Sequence, residues 1–266
     1  MGKIRLDMLL LKKGLAASRE KAQALILSGK VLVNGQPVFK AGHLVSEEST
    51  LTLEAQFPYV SRAGAKLEQA IRTFSIEVAG KVALDIGIST GGFSDCLLQF
   101  GARKIYAVDV NCKQIDWKLR QDNRLVIIEK NARYLLPEDL PERPDITTID
   151  VSFISVLKIL PAVKNIMTAG DLLVLIKPQF EAGRNQVGKK GIVRDKKVQA
   201  EVLLRILSGA QSIGFALKDL IACETLGQKG NQEYFAWFRP DEQIIPLEKL
   251  ENLILELTTD GNQKEN

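Results

Sequence analysis

Short apolar runs alternate with helical patterns through the middle of the chain, and this alternation limits the possible folds more than any other feature. The runs are Val82–Leu84, Ile105–Val108, Val126–Ile128, Ile146–Ile149 and Leu172–Ile176. Residues 93–99 and 156–167, which lie between runs, have helical spacing. Strands that alternate with helices predict an α/β fold with a mostly parallel sheet covered on both faces. Residues 216–224 and 233–239 resemble two strands without a helix between them, which predicts a closing antiparallel hairpin.

The N-terminal segment has a different pattern, which predicts a separate small α+β domain. Leu6, Leu9 and Leu10 share one helical face, and Ser18 can cap a second helix that ends near Gly29. The later Asn34-Gly35 pair is a strong hairpin signal. The predicted boundaries are 1–56 for the small domain, 57–60 for a linker, 61–245 for the large domain, and 246–266 for a C-terminal helix and polar tail.

Composition excludes several classes of protein. The chain is 45% hydrophobic and 26% charged, as expected for a globular protein with a full core. Its three cysteines form no Cys-x-x-Cys pair, so no zinc site is indicated, and isolated thiols favour a reducing cytoplasm. The run Leu172–Ile176 is far shorter than the ~20 residues of a membrane span. We therefore expect a cytoplasmic protein with no metal and no membrane partner, and the net charge of +4 permits an anionic partner.

The loop Asp85–Phe93 follows the first strand of the large domain, where glycines let the backbone approach a ligand. Ser89 replaces the second glycine of a dinucleotide-binding loop, which disfavours such a site. Gly87–Gly91 matches a hydrolase nucleophile elbow, but the single histidine, His43, precedes the serine instead of following it. The favoured interpretation is the cofactor loop of a Rossmann-like methyltransferase. Asp109 lies about 20 residues further on, where a carboxylate can accept both ribose hydroxyls.

Four charged residues lie at the predicted sheet edge or where a charge is unfavourable. Asp150 and Lys177 follow the fourth and fifth strands of the large domain. A lysine after a buried strand needs a carboxylate partner, and Asp150 is the natural candidate. Lys66 lies in the first turns of a helix that begins near Ser61, where a cation is mildly unfavourable. Glu233 opens a late strand, and both Lys66 and Glu233 can also be interpreted as exposed surface charges.

Several stretches together resemble a known family. Arg5-Leu6-Asp7, Ser18–Ala22 and Gly29–Gly35 are similar to the small RNA-binding domain named after ribosomal small-subunit protein four. The tetrad of ribose 2'-O-methyltransferases related to the FtsJ family is matched by Lys66, Asp150, Lys177 and Glu233. Over residues 4–240 the chain resembles the hemolysin A-like (TlyA) branch of that family, which joins the two domains.

The resemblance implies methylation of a ribose 2'-hydroxyl in structured RNA, with ribosomal RNA or a ribosomal subunit as the expected partner and S-adenosyl-L-methionine as the cofactor. The implied catalytic residues are Lys66, Asp150, Lys177 and Glu233. The implied cofactor-binding residues are Asp85, Gly87, Ser89, Gly91, Gly92, Phe93, Asp109 and Asn131. The implied RNA-binding residues are Arg5, Lys12, Lys13, Arg19, Lys21, Lys30 and Arg62.

The chain departs from the family pattern at two places. Asn111-Cys112 replaces a glycine and an aromatic or histidine, and Gln199 replaces a common histidine. The first departure concerns the fit around the ribose of the cofactor, and neither lies in the tetrad. Two alternatives stay open, which are a non-catalytic RNA-binding protein on a methyltransferase fold and a membrane-active hemolysin.

Overall fold

A computed structural model describes residues 2–27, 30–53, 58–227 and 229–259. The chain divides into two units, Met1–Pro58 and Tyr59–Asn266. Tyr59, which we assigned to the linker, belongs to the core of the second unit and is 7% exposed. Its hydroxyl donates to Glu68 at 2.8 Å, and a side chain at Gly64 would overlap its ring. Gly29 and the predicted tail from residue 260 onward lie outside the described residues.

The first unit is a small α+β arrangement. Its elements are β1 (Lys3–Arg5), α1 (Leu6–Lys12), α2 (Arg19–Leu27), β2 (Val31–Val33), β3 (Gln36–Pro37), β4 (Leu44–Ser46) and β5 (Leu51–Leu53). Strand β1 pairs with β4, and β2 pairs with β3 and β5, all antiparallel. The predicted helical face is confirmed, since Leu6, Leu9 and Leu10 are at most 1% exposed.

Local capping and turn chemistry also agree with the sequence of the first unit. The Ser18 hydroxyl accepts a hydrogen bond from the Lys21 amide at 3.2 Å, so the predicted cap is confirmed. Asn34 and Gly35 form the turn between β2 and β3 with φ of 51° and 80°. Positive φ at both turn positions matches the twist of a two-residue hairpin, which explains the Asn-Gly pair.

The second unit is a sheet with helices on both faces. Its elements are α3 (Arg62–Thr73), β6 (Val82–Ile86), α4 (Gly92–Gln99), β7 (Lys104–Asp109), α5 (Trp117–Arg120), β8 (Leu125–Glu129), β9 (Ile146–Ile149), α6 (Leu160–Ile166), β10 (Asp171–Ile176), α7 (Pro178–Glu181), α8 (Lys196–Ser212), β11 (Ala216–Ala222), β12 (Tyr234–Arg239) and α9 (Leu247–Thr258). In the described residues the strand order is β11-β12-β10-β9-β6-β7-β8. Only β12 in this sheet runs antiparallel to its neighbours β10 and β11. The predicted α/β fold is therefore confirmed.

Two apolar layers cover the sheet. One layer includes buried residues of α6, α8 and α9, and the other includes buried residues of α3 and α4. Leu250 and Ile254 of α9 are at most 3% exposed, so the C-terminal helix is part of this unit. The predicted helix over 156–167 is broken, because Pro161 lies in the first turn of α6 and lacks an amide hydrogen.

The topology brings several chain segments to one edge of the sheet. Asp109 ends β7, while Asp150 and Lys177 directly follow the parallel strands β9 and β10. Strand β12 runs the other way and pairs Tyr234 with Ile176, so its first residue lies where β10 ends. Glu233, one residue before β12, therefore reaches the same edge as Lys177 although it precedes its strand.

Candidate active site

A cleft of about 690 Å³ opens at this edge of the second unit. Its volume lies in the range of small-molecule and cofactor sites, about 300–1,000 Å³. The predicted site residues that line it are Arg62, Lys66, Gly87, Ser89, Gly92, Phe93, Asp150, Lys177 and Glu233. The structure thus brings the four residues of the tetrad together in one cleft.

Lys66 and Glu233 form a buried ion pair. The Lys66 Nζ lies 2.5 Å from Glu233 Oε2, and the two side chains are only 9% and 4% exposed. Gln179 Nε2 donates to the other carboxylate oxygen at 2.8 Å. A side chain at Gly227 would come within 2.6 Å of that same oxygen, so the loop between β11 and β12 passes close to Glu233. The interpretation of Lys66 and Glu233 as exposed surface charges is therefore wrong.

Lys177 and Asp150 form the second ion pair of the cleft, which confirms the predicted pairing. Their side chains are 13% and 17% exposed, so both remain accessible from the cleft. The Lys177 Nζ also donates to Ser152 Oγ at 3.2 Å and lies 5.8 Å from the centre of the Phe180 ring. These contacts from both adjacent strand ends fix the position of the amine.

The glycine loop crosses close to the end of the neighbouring strand β9. Gly87 has φ of 89°, and a side chain there would overlap the Asp150 carbonyl oxygen. Ser89 also has a positive φ, 51°, and its amide donates to Asp109 Oδ2 at 3.0 Å. Asn111 donates its amide to the other oxygen at 3.2 Å. Each carboxylate oxygen has further acceptor capacity, so Asp109 can still accept from ribose hydroxyls while it braces the loop.

Four predicted cofactor-binding residues do not line the cleft, and one of them is Asp109, whose hydrogen bond to the glycine loop is described above. Asp85 is fully buried and accepts hydrogen bonds from Ser94 Oγ at 2.6 Å and Thr148 Oγ1 at 2.9 Å. Gly91 lies against Leu119, whose side chain would overlap any side chain there. Asn131 accepts from the Arg133 amide and caps a short 3₁₀ turn. These residues shape the loop and its surroundings without facing the cleft.

Burial raises the pKa of Asp85 to about 6, because the hydrogen bonds from Ser94 and Thr148 only partly compensate for the lost hydration. The Asp85 carboxyl group therefore binds its proton more tightly in the folded protein than in the unfolded chain. The cost of ionising Asp85 is absent below about pH 4, grows as the pH rises to about 6, and stays constant above it.

We accordingly expect Asp85→Asn to gain stability relative to the wild type as the pH rises from about 4 to about 6. The expected gain is about 2 kcal/mol in the free energy of unfolding, because the neutral amide has no ionisation cost. Urea denaturation of both proteins across this range measures the difference. A difference that does not change with pH would contradict the assignment.

Side chains that the sequence analysis did not assign also line the cleft. Phe153 is 89% exposed with φ of 64°, and its ring centre lies 4.7 Å from that of Phe180. Ser152 and Gln179 contact Lys177 and Glu233, as described above. Gln179 Oε1 is buried and has no hydrogen-bond partner among the described residues. These residues are close neighbours of Asp150 and Lys177 in the sequence, which is the signal that could have indicated them. The exposure of Phe153 and the contacts of Ser152 and Gln179 could not be inferred from that proximity.

The two departures from the family pattern have local explanations. Gln199 is 3% exposed, donates to the Val193 carbonyl at 2.8 Å and accepts from the Tyr234 hydroxyl at 2.6 Å. It therefore links α8 to β12. Asn111 stays beside Asp109 through its amide, and its side chain accepts from the Lys113 amide at 3.1 Å.

The predicted RNA-binding cations of the first unit fall into three groups. Lys12 pairs with Glu47 at 2.6 Å, and Lys13 donates to the Ser49 carbonyl at 2.7 Å, so both also support the fold. Arg5 and Arg19 both contact Asp7. The remaining predicted cations there are an exposed Lys21 and a half-buried Lys30.

The fold and the cleft together define a Rossmann-like methyltransferase. A family model described as FtsJ-like methyltransferase matches residues 59–240, and the S4 domain model matches residues 4–51. A Mycobacterium tuberculosis relative named 16S/23S rRNA (cytidine-2'-O)-methyltransferase TlyA is 39% identical over 262 residues, covering 97% of this chain and 98% of that protein.

Other relatives carry a hemolysin name. Hemolysin A of Brachyspira hyodysenteriae is 44% identical over 238 residues, covering 88% of this chain and 99% of that protein. A solved structure of a Streptococcus thermophilus protein also carries a hemolysin name. It matches this chain with a TM-score of 0.73 and 39% identity, and the match covers 96% of each chain. This chain belongs to the FtsJ-like methyltransferase family, in the branch of the TlyA and hemolysin A proteins, and carries an S4 domain.

The expectations about a membrane and a metal can be compared with the structure of the described residues alone. In those ranges, no helix is long and apolar enough to cross a bilayer. The same ranges contain no group of three or more His, Cys, Asp or Glu side chains arranged to hold a metal ion.

Proposed function

We propose that this protein transfers a methyl group from S-adenosyl-L-methionine to a ribose 2'-hydroxyl of structured RNA, and that the RNA is ribosomal. The observation that carries the proposal is the meeting of Lys66, Asp150, Lys177 and Glu233 in one cleft of an FtsJ-like fold. The S4 domain supports RNA as the acceptor, and the tuberculosis relative is named for this reaction on ribosomal RNA.

The residues of the cleft fit S-adenosyl-L-methionine. Ser89, Gly92 and Phe93 would hold it at the glycine loop, and Asp109 beside the loop would accept its ribose hydroxyls. The unpartnered Gln179 Oε1 offers a further buried acceptor in the cleft. When bound, the cofactor supplies an electrophilic methyl group on its sulfonium.

Lys177 has the central role in the proposed chemistry. A ribose hydroxyl is a poor nucleophile, so positioning it in line with the methyl group supplies much of the rate. Lys177 either accepts the proton of the 2'-hydroxyl as a neutral amine or, as an ammonium, stabilises the negative charge that develops on the 2' oxygen. Asp150 and Ser152 keep the amine in place through the ion pair and the hydrogen bond described above.

The other pair and the rim of the cleft orient the substrate. Lys66 and Glu233 compensate each other's charge and, through Gln179, hold the strand end that carries Lys177. Arg62 is exposed at the cleft and can contact a phosphate of the target strand. The exposed ring of Phe153 offers a face on which an unstacked RNA base can stack.

Methylation mapping of ribosomal RNA tests the proposal. A 2'-O-methyl group blocks cleavage of the following phosphodiester, so RNA from cells with the protein should contain an alkali-resistant dinucleotide that is absent without it. Purified protein with labelled cofactor should restore this product. Label recovered in a base, or no transfer to any ribosomal RNA or subunit, would overturn the proposal. An erythrocyte-lysis assay with the same protein tests the hemolysin alternative.

We further propose that residues 1–56 form the RNA-binding domain. Deletion of these residues should weaken binding to ribosomal RNA and flatten its salt dependence, because the phosphate-contacting cations of this unit are lost. Filter binding at several salt concentrations measures both quantities. Cofactor affinity, measured by calorimetry, should stay unchanged because the cleft lies in the second unit. Equal RNA affinity with and without residues 1–56 would contradict the assignment.

A further inference from the structure

A buried carboxylate in the first unit gathers two of the arginines predicted to bind RNA. Asp7 on α1 is 0% exposed. It accepts from Arg5 Nε at 3.0 Å and Nη2 at 2.8 Å, from Arg19 Nε at 3.2 Å, and from Gln23 Nε2 at 3.1 Å. We call these four residues the Asp7 cluster. It joins the start of α1 to two positions on α2.

Both arginines keep an outward face. Their side chains are 45% exposed for Arg5 and 54% exposed for Arg19. A guanidinium has more N–H donors than Asp7 uses here, so donors of both groups are free for a phosphate. Gly42 leaves room for the Arg5 guanidinium, since a side chain at position 42 would come within 3.1 Å of Arg5 Nη1. One carboxylate against two guanidiniums leaves the cluster positively charged.

We propose that Asp7 is a positioning residue for RNA binding, which fixes Arg5 and Arg19 as a preformed site for a backbone phosphate. This inference rests on the proposed function, because it takes RNA as the ligand. Arg5 holds the pKa of Asp7 well below its usual range, so the carboxylate stays ionised at working pH. Ordering two long side chains before binding removes most of that entropy cost from the binding step.

The Asp7→Asn variant separates positioning from simple charge. Removal of a negative charge beside two arginines strengthens RNA binding if charge alone matters. Positioning by Asp7 instead predicts that full-length Asp7→Asn binds in-vitro-transcribed 23S ribosomal RNA about tenfold more weakly in filter binding. Glu20→Gln is the matched control, since Glu20 is an exposed acid in the first turn of α2. Unchanged or tighter binding by Asp7→Asn would overturn the proposal.

A purely structural role for Asp7 is separated by a mutant cycle. In an Arg5→Ala/Arg19→Ala background there are no arginines to position, so Asp7→Asn should then change RNA affinity less than about twofold. A similar loss in both backgrounds would mean that Asp7 only stabilises the unit, and the proposal would fail. Circular dichroism and cofactor calorimetry on each protein monitor folding and the second unit.

Gly42→Ala keeps the proposal testable if Asp7→Asn does not fold. The new methyl group meets the Arg5 guanidinium and moves it away from its position on Asp7, so stability should hold while affinity for the same RNA falls about threefold. Unchanged affinity in this variant would count against the positioning role. Failure of the wild-type protein to bind ribosomal RNA would instead refute the proposed function, so the two failures are distinguishable.

Discussion

Lys177→Ala should lower methyl transfer to ribosomal RNA by at least about 100-fold, the size typical of losing a group that handles a reacting proton. The side chain lies in the cleft with its amine held by Asp150 and Ser152, and no other described contact depends on it except the ring of Phe180. Transfer of labelled methyl groups from the cofactor measures the loss under single-turnover conditions.

The control separates chemistry from binding and folding. Lys249→Ala removes an exposed lysine of α9 that is not among the residues lining the cleft, and should transfer methyl groups at the wild-type rate. Calorimetry should show that Lys177→Ala still binds S-adenosyl-L-methionine within about twofold of the wild type, because the proposed function gives Lys177 a role toward the RNA acceptor and not toward the cofactor. Unchanged turnover in Lys177→Ala would refute the assigned role.

The pattern of apolar runs predicted most of the fold, because burial in the sheet determines both the apolar runs of the sequence and the strands of the structure. Each apolar run of the parallel sheet became a strand. All residues of β6, β9 and β10 are buried, whereas the edge strand β8 is half-buried. Periodicity did not show the break before α6, where the missing amide hydrogen of Pro161 overrode the helical spacing. The packing of Tyr59 on Gly64 was also not predicted. A Phe-Pro-Tyr sequence resembles a linker unless the surface that buries the tyrosine, here α3, is known.

The candidate site was predictable only where residues follow consecutive parallel strands. Asp150 and Lys177 end up together because β9 and β10 are neighbours, which the alternating pattern implies. Lys66 and Glu233 are 167 residues apart, and their pairing depends on an antiparallel strand inserted beside β10. The hairpin of β11 and β12 was predicted from the sequence, but its order in the sheet, with β12 beside β10, has no local sequence signal. The family resemblance was therefore the sole indication that these two residues meet.

Sequence spacing also could not distinguish a cofactor contact from a support beneath it. Asp85 and Gly91 occupy the loop positions that the family pattern marks, yet one hydrogen-bonds inside the core and the other accommodates Leu119. The direction of a side chain at a strand end depends on the exact turn that follows. Here that turn is set by the crossing of Gly87 over the Asp150 carbonyl.

Lys66→Met should destabilise the protein more than most single substitutions. It leaves Glu233, whose side chain is 4% exposed, as a buried carboxylate with Gln179 as its remaining hydrogen-bond donor. Removing one partner of a buried ion pair costs about 3 kcal/mol or more in the free energy of unfolding. Urea denaturation measures the loss, with Lys249→Met as the exposed control, which should change stability by less than about 0.5 kcal/mol.

The double variant Lys66→Met/Glu233→Gln tests what the buried pair is for. Replacing the carboxylate with an amide keeps the acceptor for Gln179 and removes the uncompensated charge, so about 2 kcal/mol of the lost stability should return. Methyl transfer should be no higher than in Lys66→Met, because the double variant lacks both charged groups of the proposed site. Recovery of activity together with stability would show that the pair serves the fold alone. Recovered stability without activity would mean that the charges are retained for the reaction, since a neutral pair satisfies the fold nearly as well.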